Sequence, residues 1–186
     1  MNQLNLKKAA TTLQSGGVIA YPTEAVYGLG CDPMNQLSVQ KILRLKNRPA
    51  GKGLILIAAS FEQLEPYLDT LTPSLFAKVM STWPGPTNWL LPPNFATPKI
   101  LRGDFKLQAM RVSNHPMVQA LCKQFGGAIV STSANVSGRP AATTALQVRL
   151  RFSNKLDYIL PGEVGSQKKP CEIRNGLNDQ LIRAGS

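Results

Sequence analysis

Residues 4–21 read LNLKKAATTLQSGGVIAY, a helix followed at once by a strand. Leu6, Ala9, Ala10 and Leu13 recur at helical spacing, and Ser15-Gly16-Gly17 stops the helix as a glycine C-terminus does. Val18 to Tyr21 is then a short apolar run, the pattern of a buried strand. Pro22-Thr23-Glu24 ends it, and Gly28-Leu29-Gly30 lies in a segment too glycine-rich for a helix interior and reads as a loop.

The same alternation continues outward. A helix capped by Ser38 carries Val39, Ile42 and Leu43 on one face and ends near Leu45 or Lys46, because Pro49 disfavours helical geometry at Arg48. Gly53 to Ala59 is an unbroken apolar run, expected as a strand covered on both faces. Phe61 to Leu68 and Ser74 to Met80 read as helices. Residues 83–98 hold Pro84, Pro86, Pro92, Pro93 and Pro98, which leaves room only for an edge strand flanked by loops. Gln108 to Val112 and Ala128 to Thr132 are further strands, with a helix from about Met117 to Phe125 between them. Strands alternating with helices predict an α/β fold, and no repeat or linker divides residues 1–186, so one domain is expected.

The chain has 43% hydrophobic and 17% charged residues, a globular composition, and no apolar run long enough to span a membrane. Cys31, Cys122 and Cys171 are odd in number and widely spaced, which argues against a disulfide framework or a zinc site. The first residues lack the pattern of a secretory signal, so a cytoplasmic location is expected. Net charge is +11 and uneven. Between Asp32 and Glu62 stand five bases and no acid, and between Asp104 and Asp157 seven bases and no acid. Such a surface suits either an anionic partner or plain solvation.

Common nucleotide signatures are missing. There is no P-loop, and Pro33 stands where a dinucleotide fingerprint needs its third glycine. His115, the only histidine, precedes Pro116 and reads as a turn residue. What remains is three polar clusters where regular elements end, the usual place for ligands in α/β proteins. Lys46-Asn47-Arg48-Pro49 offers two cations to a polyanion, or two cations to a helix C-terminus. Ser131-Thr-Ser133-Ala-Asn135-Val-Ser137-Gly138 follows an apolar strand with short side chains fit either for phosphate, ribose and base edges or for capping and turning. In Tyr21-Pro-Thr23-Glu-Ala-Val-Tyr27-Gly28-Leu-Gly30, Thr23 and Tyr27 flank a turn.

Taken in order, P-T-E-x-V-Y-G-L-G, K-x-R-P, W-P-G-P and S-T-S-A-N-x-S-G resemble the YrdC/TsaC-type threonylcarbamoyl-AMP synthase family, in its short bacterial form. The resemblance extends to Arg111 in Ala-Met-Arg-Val, to Pro161-Gly162-Glu163 and to the terminal Leu181-Ile-Arg183-Ala-Gly185. It implies a twisted open mixed sheet flanked by helices, with a positively charged concave face. It implies also a reaction of L-threonine, bicarbonate or CO2 and ATP, accompanied by Mg2+, to threonylcarbamoyl-adenylate and pyrophosphate. The product would feed tRNA threonylcarbamoyl transferase proteins that modify an adenosine beside the anticodon.

By the same resemblance, Lys46 and Arg48 would be catalytic, and they would bind nucleotide together with Lys52, Ser131, Ser133, Asn135 and Arg183. Thr23, Tyr27 and Arg111 would hold threonine, Arg111 through a bidentate carboxylate contact, and no residue is expected to bind a metal. Three positions depart from the family pattern. Asn88 stands where threonine is usual and either replaces that hydroxyl or weakens the site. Cys171 stands for a serine, and Asn175 for an aspartate. The rival reading is a non-catalytic RNA-binding module using the basic face alone. It is disfavoured by the absence of an RNP-type strand and by an aromatic content of 6%.

Overall fold

A computed structural model describes residues 2–167 and 170–185. Helix α1 (Gln3–Gln14) leads into strand β1 (Ile19–Pro22), as the opening sequence predicts, and β1 turns directly into β2 (Tyr27–Gly30). Then follow α2 (Gln36–Lys46), β3 (Ile55–Ala58), α3 (Pro73–Met80), β4 (Thr87–Leu91), α4 (Lys99–Arg102) and β5 (Gln108–Val112). The remainder is α5 (Pro116–Phe125), β6 (Ile129–Ser133), α6 (Ala145–Phe152), β7 (Tyr158–Ile159), β8 (Glu172–Asn175) and β9 (Leu181–Arg183). The strands form one open mixed sheet in the order β7-β1-β2-β6-β3-β5-β4-β8-β9. Among the described residues no helix is long and apolar enough to cross a membrane.

Both sheet faces are covered where the apolar runs predict it. Val18, Ala20, Leu56, Ala58 and Val130 pack on one side with Val39 and Ile42 of α2, Val79 of α3, Leu101 of α4 and Phe152 of α6. Their alternate neighbours Ile19, Tyr21, Ile57 and Ile129 pack on the other side with Leu6, Ala9 and Leu13 of α1 and Val118, Leu121 and Cys122 of α5. Helices α1 and α5 cover only part of this second face. The open remainder holds the cavity described below.

Several elements differ from the expectation. The Gly28-Leu29-Gly30 segment is a strand rather than a loop. A Cβ at Gly30 would lie 2.7 Å from both the Tyr21 ring and the Val130 carbonyl oxygen, so the glycine admits close neighbours. Residues 61–68 form turns and a 3-10 segment (Glu65–Tyr67) instead of a helix. Pro66 supplies no amide hydrogen there, and the Gln63 side chain accepts from Ala59 N at 2.9 Å. Strand β4 is not at the edge: it pairs with β5 on one side and β8 on the other.

The cap of α2 is Asn35, whose Oδ1 accepts from Ser38 N at 3.1 Å, while the Ser38 hydroxyl donates to the Gly16 carbonyl at 2.5 Å. Asn35→Ala is expected to lower stability by about 1 kcal/mol in urea denaturation. A change below the error of that titration would assign the cap no energetic part. At the other end, Asn47 adopts left-handed geometry (φ 48°), and Arg48 N donates to the Leu43 carbonyl at 2.9 Å. This Schellman-type stop leaves Lys46 inside and sends Arg48 out of the helix.

Candidate active site

The open part of the second sheet face is floored by small and short side chains: Gly28 on β2, Ser131 and Ser133 on β6, Ile55 on β3, Ala109 on β5. Over them lies a cavity of about 410 Å3, large enough for a nucleotide fragment or a small metabolite. Among the described residues its charged lining is wholly basic, consisting of Arg48, Lys52, Arg102, Arg111 and Arg183. Among the described residues no cluster of three or more His, Cys, Asp or Glu could hold a metal ion.

Seven of the expected site residues line this space: Thr23, Arg48, Lys52, Arg111, Ser131, Ser133 and Arg183. Arg48 is half-buried, and its Nε and Nη2 donate to the Gly53 carbonyl at 3.2 and 2.9 Å, Nη2 also to the Lys52 carbonyl at 2.9 Å. The arm that carries these two cations is clasped to the end of α4. Gly53 (φ 58°) faces the Arg102 carbonyl, 2.8 Å from where a Cβ would sit, and Gly103 (φ 62°) faces the Gly51 carbonyl at 2.5 Å. Leu54 N and Asp104 N close the clasp by donating to the Leu101 and Gly51 carbonyls.

Lys46, Tyr27 and Asn135 are placed outside the lining. Lys46 is 3% exposed. Its Nζ donates to the Ser133 carbonyl at 2.5 Å, the Asn135 carbonyl at 2.8 Å and Asn135 Oδ1 at 3.0 Å. Burial, with Arg48 nearby, brings its pKa down to about 8. Asn135 accepts from Ser133 Oγ at 2.7 Å and donates to the Val136 and Arg139 carbonyls, so its side chain folds the 133–139 loop. The Tyr27 hydroxyl donates to the Gly162 carbonyl at 2.6 Å and accepts from Gly162 N, while burial raises its pKa. Thr23 Oγ1 donates to the Val26 carbonyl at 2.7 Å, which leaves it an acceptor toward a ligand.

Arg111 sits in a network that the sequence reading did not anticipate. Nη2 pairs with Glu24 Oε2 at 3.0 Å, both side chains being almost wholly buried. Nη1 donates to Cys171 Sγ. Glu24 Oε1 also accepts from the Ser113 hydroxyl at 2.5 Å, and Ser113 Oγ accepts from His115 N. Both ends of the guanidinium fork therefore already have protein partners, and Nε has none among the described residues. The signal for Glu24 was available: an acid at the end of a buried strand needs a cation. Arg183 Nη2 donates to the Cys171 carbonyl at 2.7 Å, which places Arg183, on the edge strand β9, beside Cys171 and near Arg111 of β5. His115, expected as a turn residue, stands at the N-cap position of α5 without a capping bond from its side chain and lines a separate hollow with Gly162 and Glu163; burial lowers its pKa.

The fold recurs in known proteins. The family model Sua5/YciO/YrdC, described as "Telomere recombination", matches residues 11–185. The chain is 51% identical over 178 residues to the threonylcarbamoyl-AMP synthase of Nitrosococcus oceani, covering 96% of each. It is 49% identical over 183 residues to that of Photobacterium profundum, covering 97% of this chain and 99% of the relative. Among solved structures, P. abyssi Sua5 complexed with L-threonine is similar with TM-score 0.92 and 30% identity, over 100% of this chain and 55% of that one. E. coli YciO is similar with TM-score 0.87 and 25% identity, over 99% of this chain and 90% of that one. The shared stretch contains every residue that lines the cavity, and the chain belongs to the Sua5/YciO/YrdC family.

Proposed function

We propose that this chain makes threonylcarbamoyl-adenylate and pyrophosphate from L-threonine, bicarbonate or CO2, and ATP. The observation that carries the reading is the half-identity, over nearly full length, to threonylcarbamoyl-AMP synthases, in a chain whose cavity gathers Thr23, Arg48, Lys52, Arg111, Ser131, Ser133 and Arg183. The similar Sua5 structure holding L-threonine supports the amino-acid half.

The threonine amine captures CO2 as a carbamate and loses a proton. A carbamate oxygen then bonds to the α-phosphorus of ATP as the bond to pyrophosphate breaks. Two anions must meet, so the protein's contribution is positioning and positive charge. Arg48 and Lys52 offset the charge of the triphosphate and of the departing pyrophosphate. Ser131 and Ser133 hydrogen-bond the nucleotide. Lys46 and Asn135 act through the 133–139 loop, which they fold into place. Arg111 takes the threonine carboxylate, using Nε beside a fork already engaged with Glu24 and Cys171, with Thr23 accepting nearby; Tyr27 steadies residue 162 in the neighbouring hollow. Arg183, next to Arg111, adds charge on the amino-acid side. The cationic lining does not fit a resident metal, and Mg2+ enters as the counter-ion of ATP. The product passes, in the cytoplasm, to a transferase acting on tRNA, whose contact with this chain's basic surface is a separate property.

Purified protein with Mg-ATP and bicarbonate is expected to release pyrophosphate when L-threonine is added and far less without an amino acid, with threonylcarbamoyl-adenylate detected by mass spectrometry. Folded protein that releases none under any condition overturns the reading in favour of an RNA-binding module.

A further inference from the structure

Asn88 is 1% exposed, yet it stands in the cavity wall. Its Nδ2 is fixed by donation to the Glu172 carbonyl at 2.7 Å, and its Oδ1 is buried with no partner among the described residues. An unmet buried acceptor is costly and demands an explanation. The pairing of β4 with β5 sets Trp89 opposite Met110 and Leu90 opposite Ala109, which by continuation places Asn88 directly opposite Arg111. Among the described residues, Arg111 Nε is the other unmet buried group of these two strands in the cavity wall, Gln108 Oε1 of β5 being unmet outside it. One acceptor without a donor thus neighbours one donor without an acceptor. That is the complement of a ligand carrying a hydroxyl close to a carboxylate.

Strand order says which group of the ligand goes where. Ser131 and Ser133 lie on β6, Arg111 lies two strands further on β5, and Asn88 lies beyond it on β4. With its carboxylate on Arg111, an amino acid must direct its reacting amine toward the nucleotide side at β6. Its side chain then falls on the β4 side.

We propose that Asn88 Oδ1 accepts a hydrogen bond from the side-chain hydroxyl of the bound amino acid and so makes the site select β-hydroxy amino acids over isosteres without the hydroxyl. The inference rests on the threonine-dependent activity proposed above. For that contact the Asn88 side chain must turn slightly, bringing the buried Oδ1 to the cavity surface while Nδ2 keeps its bond to the Glu172 carbonyl. L-valine, which has a methyl group in place of the hydroxyl, leaves the acceptor unmet.

The test compares kcat/KM for pyrophosphate release with L-threonine, L-valine and L-serine in wild type, Asn88→Leu and Asn88→Thr, with circular dichroism as the check on folding. Wild type is expected to prefer threonine to valine by at least about tenfold through this contact. Asn88→Leu should lose that preference while its threonine-to-serine ratio stays put, because serine keeps the hydroxyl; a general loosening of the site would shift both ratios. Asn88→Thr, which restores an acceptor, should keep the preference for threonine over valine. A preference unchanged within twofold in folded Asn88→Leu, or lost in Asn88→Thr, overturns the assignment and leaves the activity standing. Wild type that releases no pyrophosphate with any amino acid overturns the activity, and the role of Asn88 with it.

Discussion

Replacing Arg111 with alanine is expected to cost about 3–5 kcal/mol of folding stability and to abolish threonine-dependent pyrophosphate release. The cost comes from what stays behind. Glu24 is 4% exposed and, among the described residues, keeps only its bond from the Ser113 hydroxyl once the guanidinium is gone, so a carboxylate is left buried without its ion-pair partner. Against a typical total of about 5–15 kcal/mol, that is a large share. The double variant Arg111→Ala, Glu24→Gln removes the stranded charge and should recover most of the stability, measured as the urea midpoint. Its activity should remain lost, since the partner proposed for the threonine carboxylate is still absent. A single variant within about 1 kcal/mol of wild type would mean that the pair contributes no more than an exposed ion pair does.

The second large effect separates two neighbouring cations. Arg48→Ala should lower kcat by about 10^2 to 10^3 and cost about 1 kcal/mol of stability for its bonds to the Gly53 and Lys52 carbonyls, because Arg48 is half-buried and lines the cavity. Lys46→Met should act on both quantities, since it removes the ammonium's bonds to the carbonyls of Ser133 and Asn135, the former keeping only its bond from Asn135 N among the described residues, and frees the loop that carries Ser133; about 1–3 kcal/mol of stability is at stake. The two variants also differ in their pH response. Folding lowers the Lys46 pKa from 10.5 to about 8, so between these values the unfolded chain binds more protons than the folded one. Stability from this group therefore rises with pH across that window and is flat below it. Lys46→Met should lose that rise, and Arg48→Ala should keep most of it, because burial is the larger cause and the Arg48 charge the smaller. Denaturation midpoints measured from pH 7 to 10 decide the matter: equal slopes in wild type and Lys46→Met would refute the buried-ammonium account.

Legibility in the sequence followed physical locality. Strands β3 and β6 could be read because both faces are covered and their apolar runs are unbroken. Strand β2 could not, because its glycines reflect close neighbours on β1 and β6 rather than local strand preference. The absence of a helix over 61–68 is local, and Pro66 already pointed to it. Strand β4 loses its edge position to β8 and β9, whose few, largely polar residues carry little periodic signal. At the site, residue types were legible and orientations were not. Lys46 turns to Ser133 and Arg111 to Glu24 across 87 residues of chain in each case, a relation no window of sequence contains.

The clasp between Gly53 and Gly103 has a thermodynamic corollary. Each glycine occupies a conformation that other residues rarely adopt, and each abuts the backbone of the other's loop, so the two loops ordered one another when the chain folded. An anion arriving at Arg48 and Lys52 meets a fulcrum already set, and little configurational freedom remains to be surrendered at that moment. Tightness toward a triphosphate is thereby settled upstream of the encounter, in the fold itself.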